Sequence, residues 1–144
     1  MNLGSISLLF LRLGISYIWL SAGISKLVNS NFLSTFPETL FNFAKNTPYD
    51  FYESFLKQYI IPHSYIFAQL TIWGEILTGV AFLLGFPMSI ALLAGILMNI
   101  NYYLVANSAP SQFLNILMIL SQLAAYANGA GNFFGIEARF NKKL

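Results

Sequence analysis

Four long apolar runs alternate with more polar segments along the chain. They cover about residues 5–28, 64–84, 88–106 and 112–127. As a helix rising 1.5 Å per residue, the first run would be about 36 Å long, enough to cross a hydrocarbon layer of about 30 Å. Because tight turns such as Gly85-Phe86-Pro87 join the last three runs, consecutive helices should be antiparallel. The pattern predicts an all-α membrane protein, an antiparallel bundle of four transmembrane helices in one domain, residues 1–144.

The first run could alternatively be interpreted as a cleavable signal peptide. A signal peptide has a basic start, a short apolar core and a cleavage site with small residues. Here Arg12 lies inside the apolar run and Lys26 closes it. These charges favour a helix that stays in the mature protein.

The long connection between the first two runs carries helix signals of its own. Thr35 with Glu38, and Thr47 with Asp50, have the spacing of a capping box, a threonine followed three residues later by an acid. After the second box, apolar side chains recur at helical spacing, namely Phe51, Tyr52, Phe55, Leu56, Tyr59 and Ile60. We therefore expect an amphipathic helical loop over about residues 31–60, at the membrane surface or capping the bundle. The aromatic density disfavours a polar linker, which is the alternative.

Composition supports the membrane assignment and narrows the possible chemistry. Charged residues make up 8% of the chain and hydrophobic residues 57%, whereas about a quarter of a soluble domain is charged. The lack of cysteine excludes thiolate metal sites and iron–sulfur clusters built from this chain, and its single histidine excludes a bis-histidine haem. The net charge of +2 comes from scattered basic residues, so we expect the lipid bilayer and not nucleic acid as a partner.

Each apolar run carries its small and polar residues along one stripe when it is plotted at about 100° per residue. The stripes are Ser5, Arg12, Ser16, Trp19, Gly23 and Lys26 in the first run, Ala68, Thr71, Glu75, Thr78 and Gly79 in the second, Ala91, Gly95, Asn99, Tyr102, Tyr103 and Ala106 in the third, and Asn115, Gln122 and Tyr126 in the fourth. We expect the four stripes to face one another, with leucine, isoleucine and phenylalanine facing lipid.

Arg12 and Glu75 are the charges that lie well inside the runs. A lone charge at the centre of a transmembrane helix costs about 2.5–3.5 kcal/mol on insertion scales. If the helix ends are level, the two residues lie at similar depths, so we expect a buried Arg12–Glu75 ion pair completed by Asn99 or a tyrosine hydroxyl. Such a pair either fixes the helix register or forms part of a functional site, and both interpretations stay open.

Four more residues on these stripes are candidates for binding a cofactor: Trp19, Lys26, Asn99 and Tyr102. Lys26 would offer positive charge to a ligand near the membrane surface. Each of three candidates has a structural alternative. Trp19 would pack in the core, Lys26 would extend to the interface, and Tyr102 would belong to an interfacial aromatic belt.

Several short segments resemble a known family of membrane proteins. Leu11-Arg12-Leu13-Gly14, with Trp19, Ala22-Gly23 and Lys26, is similar to the opening of DoxX-type proteins, and the segment from Gly74-Glu75 to Gly85 is similar to their second helix. Asn99-Ile100-Asn101-Tyr102 and the ending Gly129-Ala130-Gly131-Asn132-Phe133-Phe134-Gly135-Ile136-Glu137 resemble the DoxD branch. The closing acid of that branch is typically aspartate, so Glu137 is a departure that keeps the charge.

The resemblance implies a membrane subunit of thiosulfate:quinone oxidoreductase, which oxidises thiosulfate to tetrathionate and passes the electrons to a quinone. It implies a quinone as cofactor and a DoxA-like partner subunit or a larger respiratory complex. The polar stripes that face one another would then bind the quinone, a small anion or both, with Arg12 and Glu75 as catalytic residues. A non-catalytic accessory or anchoring subunit of a redox complex is the alternative, and a homo-oligomer is also open.

Basic residues near the ends of the runs bear on orientation. The tail carries Arg139, Lys142 and Lys143, and the long loop carries Lys45 and Lys57. Because the tail cluster is tighter, we expect both termini in the cytoplasm, in a protein of the cell membrane.

Overall fold

The computed structural model describes residues 3–132, 135–136 and 138, and these residues form helices and turns without a strand. The helices are α1 (Leu3–Val28), α2 (Phe32–Asn46), α3 (Asp50–Phe55), α4 (Ser64–Leu84), α5 (Met88–Val105) and α6 (Ala109–Ala127). The prediction of an all-α fold is confirmed. Some residues behind earlier expectations lie outside the described part, namely Phe133, Phe134 and Glu137 of the family-like ending and Arg139, Lys142 and Lys143 of the basic tail.

Within the described residues, three helical stretches are long and apolar enough to cross a membrane. They are α1, the continuous stretch Asp50–Leu84 that contains α4, and α5. The fourth predicted span corresponds to α6, whose 19 residues include the polar Gln112, Asn115 and Gln122. It does not reach the apolar character of the other three. The count of four spans therefore stays a prediction.

Glycine residues set the register between α1 and α4. A Cβ atom added to Gly23 would lie 2.9 Å from the backbone nitrogen of Ile76, and one added to Gly79 would lie 2.8 Å from that of Leu20. The Ser16 hydroxyl donates a 2.8 Å hydrogen bond to the Gly79 carbonyl. Residues later in α1 thus contact residues earlier in α4. The backbones approach this closely because glycine occupies both contact points.

Most of the polar stripes are buried, as the pattern predicts. The buried stripe residues are Ser5, Arg12, Ser16, Trp19 and Gly23 in α1, Ala68, Glu75, Thr78 and Gly79 in α4, Ala91, Gly95 and Asn99 in α5, and Gln122 in α6. Tyr126 departs from the prediction, since it is 44% exposed. Large apolar side chains such as Leu70, Leu97 and Leu117 lie on the outer surface.

The connection between α1 and α4 is helical and packs against α4 and α5. After α2, helix α3 continues through a π-helical turn, Leu56–Ile60, and a 3₁₀ turn, Ile61–His63, into α4. The change in helical geometry falls at Pro62, which has no backbone N–H to donate. The connection buries one apolar face, formed with Ala68 of α4 by Phe36, Leu40, Ala44, Tyr52, Leu56 and Ile60.

Neither predicted capping box forms. Thr35 lies within α2, and its hydroxyl donates to backbone carbonyls of the preceding turn. The Thr47 hydroxyl accepts a 3.4 Å hydrogen bond from the backbone nitrogen of Tyr49 and donates one of 2.6 Å to the Leu104 carbonyl. Thr47 therefore ties the connection to the end of α5. It lies too early to cap α3, because that helix begins at Asp50 with Tyr49 as its N-cap residue.

The far end of α4 meets the last described part of the chain. Helix α4 ends at Leu84 and is followed by Gly85, whose φ of 64° is the left-handed conformation that favours glycine. The backbone nitrogen of Ile136 donates a 2.9 Å hydrogen bond to the Leu84 carbonyl. Arg12, which is 2% exposed, donates from Nη1 to the Ala130 carbonyl at 3.1 Å. Its guanidinium lies against Gly85, at the place that a Cβ there would occupy.

Candidate functional site

Lys26, Glu75 and Tyr102 come together from α1, α4 and α5. The Glu75 carboxylate is 1% exposed, and the Lys26 ammonium group donates to its two oxygens at 2.9 and 2.7 Å. The Tyr102 hydroxyl donates to the same carboxylate. Lys26 also donates to the Ala22 carbonyl at 3.4 Å. These bonds offset the desolvation of a buried carboxylate, which costs several kcal/mol for an isolated ion.

A cavity of 580 Å³ adjoins this cluster. Its walls come from α2, α3 with its π-helical turn, α4 and α5, and Lys26 contributes from α1. Most lining residues are aromatic or aliphatic, and they include Phe32, Phe36, Leu40, Phe43, Phe55, Leu56, Ile60, Phe67, Leu70, Ala94, Leu97, Met98 and Val105. An apolar cleft of this size with a few polar groups is typical of small-molecule sites.

The cavity reaches the apolar outer surface of the protein. Phe55, Leu70 and Leu97 line it and are themselves 40%, 58% and 60% exposed. These residues lie on helical stretches that are long and apolar enough to cross a membrane. Side chains of the apolar outer surface therefore line the same cavity as Lys26 and Tyr102.

Hydrogen bonds hold the connection against α5 around the cavity. The Tyr52 hydroxyl donates to Oδ1 of Asn101 at 2.6 Å, and both residues line the cavity. The Tyr49 hydroxyl donates to the hydroxyl of Tyr103 at 3.4 Å. The pKa of Tyr49 is raised above its ordinary value of 10.0, mainly by this hydrogen bond and to a smaller extent by desolvation. Two tyrosines of the connection thus bond to neighbouring positions on α5.

The predicted Arg12–Glu75 ion pair is wrong. Glu75 lies beside Gly23, since a Cβ on Gly23 would be 3.1 Å from the Glu75 Cβ, whereas Arg12 lies against Gly85. Arg12 and Gly23 are 11 positions apart in α1 (23 − 12), which is about 16 Å along the helix. The prediction failed because it took the ends of α1 and α4 as level. The glycine contacts instead stagger the helices, and Lys26 is brought to Glu75.

Two further predicted residues lie away from the cavity. Trp19 packs in a core cluster with Ile15, Phe82 and Met88, and it is 3% exposed. Asn99 is also buried, and its side chain donates to the Gly95 carbonyl one turn earlier in α5 at 2.9 Å. Of the six predicted site residues, Lys26, Glu75 and Tyr102 are brought together, while Arg12, Trp19 and Asn99 are not among the residues of this cluster or the cavity lining.

The sequence contained a signal for the Lys26–Glu75 pair. Lys26 lies three residues after Gly23 on the same face of α1, and a small residue is the natural contact point between transmembrane helices. Placing Gly23 opposite Glu75 would have brought the lysine to the carboxylate. Phe36 of α2 and Tyr52 of α3 also line the cavity, but nothing in the sequence indicated this. Apolar periodicity shows which face of a helix is buried but not which residues it packs against.

The whole apolar part of the chain and its ending match one family. The sequence model of that family, described as "TQO small subunit DoxD", matches residues 7–144. The chain belongs to the DoxD family. TQO is thiosulfate:quinone oxidoreductase, so a DoxD protein is a membrane subunit of that complex. No curated protein and no solved structure matches this DoxD chain.

The match extends over the residues of the candidate site. Lys26, Glu75 and Tyr102 all lie within the matched range. Arg12 of α1, whose guanidinium contacts Gly85 after α4, lies within it as well. The resemblance seen in the sequence is thus confirmed at the level of the family. As a subunit of a complex, this DoxD chain works with a partner in a membrane.

Proposed function

We propose that this DoxD chain binds the quinone of thiosulfate:quinone oxidoreductase in the cavity beside Lys26, Glu75 and Tyr102. The observation that carries the proposal is the position of Lys26 and Tyr102, which both donate to the buried Glu75 carboxylate, on the wall of an apolar cavity that reaches the outer surface. A quinone has an apolar ring and tail that partition into lipid and two carbonyl oxygens that accept hydrogen bonds. The cavity offers surfaces of both kinds.

The residues present fit such a group in size and in chemistry. A volume of 580 Å³ falls in the range of about 300–1,000 Å³ that is usual for sites of drug-sized molecules. Phe36, Phe43 and Phe67 provide flat apolar surface for a ring. Lys26 and Tyr102 add polar groups to this lining, and both donate their hydrogens to the Glu75 carboxylate.

A bound quinone would take up two electrons and two protons to become a quinol. The residues of this chain can serve the proton side of that chemistry. Glu75 is a carboxylate held between a partly exposed ammonium group and a tyrosine hydroxyl, so a proton could reach the cavity along Lys26, Glu75 and Tyr102. The electrons come from thiosulfate and enter through the assembled complex. Lys26 supports an anion site less well, because Glu75 already neutralises its charge.

The finer architecture belongs to the same proposal. We infer that α6 is a fourth span and that α1, α4, α5 and α6 form an antiparallel bundle in the cell membrane, with both termini in the cytoplasm. As a helix, the 19 residues of α6 would be about 28 Å long. Its polar Gln122 is buried against Gly95 of α5 and does not face lipid. A DoxA-like subunit is the proposed partner.

Photochemical cross-linking tests the quinone site directly. DoxD in lipid nanodiscs would be irradiated with an azidoquinone, and the modified peptides would be mapped by mass spectrometry. We expect adducts in α2, α3 and α5 that decylubiquinone suppresses. Ala94→Phe, which fills the cavity, should lower the labelling at least several-fold, whereas Ala124→Phe on the exposed face of α6 should not.

The alternative function, a non-catalytic anchoring subunit, makes the opposite prediction. In that case labelling would be spread over lipid-facing residues, decylubiquinone would not compete, and Ala94→Phe and Ala124→Phe would behave alike. Thiosulfate-dependent quinone reduction by the assembled complex would then be unaffected by Ala94→Phe. That combination would refute the proposed function.

A further inference from the structure

The polar hydrogens at the cavity are almost all donated within the protein. Lys26 gives its three N–H groups to the two Glu75 oxygens and the Ala22 carbonyl. Tyr102 gives its hydroxyl hydrogen to Glu75, and Tyr52 gives its own to Asn101. Among the described lining residues, the amide of Asn101 keeps one hydrogen that has no assigned acceptor, since the other goes to the Leu97 carbonyl.

The two lining threonines follow the same rule. Thr71 donates to the Phe67 carbonyl at 2.8 Å, and Thr39 donates to the Thr35 carbonyl at 3.1 Å. Each is a bond to the previous turn of its own helix, so neither hydroxyl hydrogen points to a ligand. What these side chains leave open are lone pairs. The phenolic oxygens of Tyr102 and Tyr52 can each still accept a hydrogen bond.

At Lys26 and Tyr102, this arrangement distinguishes a ligand that donates hydrogen bonds from one that only accepts them. A carbonyl oxygen could bind to Lys26 or Tyr102 only by taking a hydrogen from Glu75. Glu75 is 1% exposed, and removing a partner from a buried carboxylate is strongly unfavourable. A hydroxyl group, by contrast, can donate to the Tyr102 oxygen while every existing bond stays in place.

We infer that the cavity, in the arrangement seen here, selects a hydroxylated aromatic ring, the quinol form, over the corresponding quinone, with the Tyr102 oxygen as the acceptor of the ring hydroxyl. The inference rests on the proposed function of the cavity. Binding of the oxidised ring then requires the Lys26–Glu75 pair to open. The ion pair would thus act as a redox-selective element of the site, in addition to its part in holding α1 to α4.

Three redox-inert probes with the same tail separate these possibilities. They are 4-hexylphenol, which donates and accepts, 4-hexylanisole, which accepts weakly, and 4-hexylacetophenone, which presents a carbonyl. Each would compete with azidoquinone labelling of DoxD in nanodiscs, and concentrations would be corrected for partition into protein-free nanodiscs. One additional net hydrogen bond should make the phenol about 3- to 10-fold more potent than the anisole. The acetophenone should be no better than the anisole.

Variants assign the effect to one oxygen atom. Tyr102→Phe should abolish the advantage of the phenol and leave the anisole unchanged. Tyr103→Phe is the matched control, because the neighbouring hydroxyl contacts Tyr49 and does not line the cavity. Circular dichroism would establish that both variants are folded. A folded Tyr102→Phe protein that still prefers the phenol would overturn the inference.

The outcomes separate the two proposals. Equal potency of the three probes, or a more potent acetophenone, contradicts the quinol selectivity while the cavity remains a quinone site. Failure of all three probes and of decylubiquinone to compete contradicts the proposed function itself, and the inference falls with it.

Discussion

Replacing Lys26 by methionine would remove the ammonium group that neutralises Glu75 while keeping an unbranched side chain. The Glu75 carboxylate would lose two of its three hydrogen bonds, those at 2.9 and 2.7 Å, and would keep the one from Tyr102. Removing one partner of a buried ion pair costs about 3–5 kcal/mol. Because the Lys26 side chain is 25% exposed, we expect a smaller loss, about 2–4 kcal/mol of unfolding free energy.

The complementary change, Glu75→Gln, should cost less. The lysine left behind can extend its ammonium group towards the membrane surface, whereas a buried carboxylate cannot follow. We expect a loss of about 1–2 kcal/mol, from the hydrogen bonds that the amide does not replace. The double variant should lose less than the sum of the two, with a coupling energy of about 1–3 kcal/mol.

Lys57 and Glu53 provide a matched control within the same chain. They form a lysine–glutamate pair one helical turn apart, but their side chains are 55% and 36% exposed. Lys57→Met should therefore cost only about 0.2–1 kcal/mol. The assay is equilibrium unfolding in mixed detergent micelles, followed by circular dichroism. If Lys26→Met cost no more than Lys57→Met, or if the effects at Lys26 and Glu75 were simply additive, the buried pair would not have the role described here.

Two further predictions concern other parts of the fold. Gly85→Ala should lower the unfolding free energy by about 2–4 kcal/mol, because alanine is strained at a φ of 64° and its Cβ would collide with the Arg12 guanidinium. The control Gly14→Ala has open space around it and should stay within about 1 kcal/mol of the parent protein. Similar thermal unfolding midpoints of the two variants would contradict this account. Tyr52→Phe removes the hydrogen bond to Asn101 and should lower the local unfolding free energy by about 0.5–1.5 kcal/mol. Mass spectrometry should then show faster hydrogen exchange over residues 50–60. Unchanged exchange there would refute the proposed tie between α3 and α5.

Some features of the fold could be predicted from the sequence because they depend on local patterns. The apolar run over 64–84 and the glycine after it mark the bounds of α4, and the polar stripes identify the buried faces of α1, α4 and α5. Polar groups inside apolar helices need partners, which makes Glu75 and Tyr102 stand out in the sequence, and the structure joins them by a hydrogen bond. These inferences use a residue and its neighbours within a few turns.

The relative positions of the helices depend on contacts that local patterns do not contain. Assuming level helix ends placed Arg12 beside Glu75, whereas Gly23 and Gly79 set a different register. The cavity also could not be predicted from the sequence, because α2 and α3 form its walls together with α4 and α5. The hydrogen bond from the Thr47 hydroxyl to the Leu104 carbonyl of α5 is another contact that local patterns do not contain.

The bond between Arg12 and the Ala130 carbonyl joins residues that are 118 positions apart. Since a ribosome makes the chain from its N-terminus, α1 is synthesised long before Ala130 exists. Arg12 can therefore take up this contact only when synthesis is nearly complete. Any product that stops before Ala130 lacks it, so a late nonsense or frameshift change would alter the surroundings of the first helix.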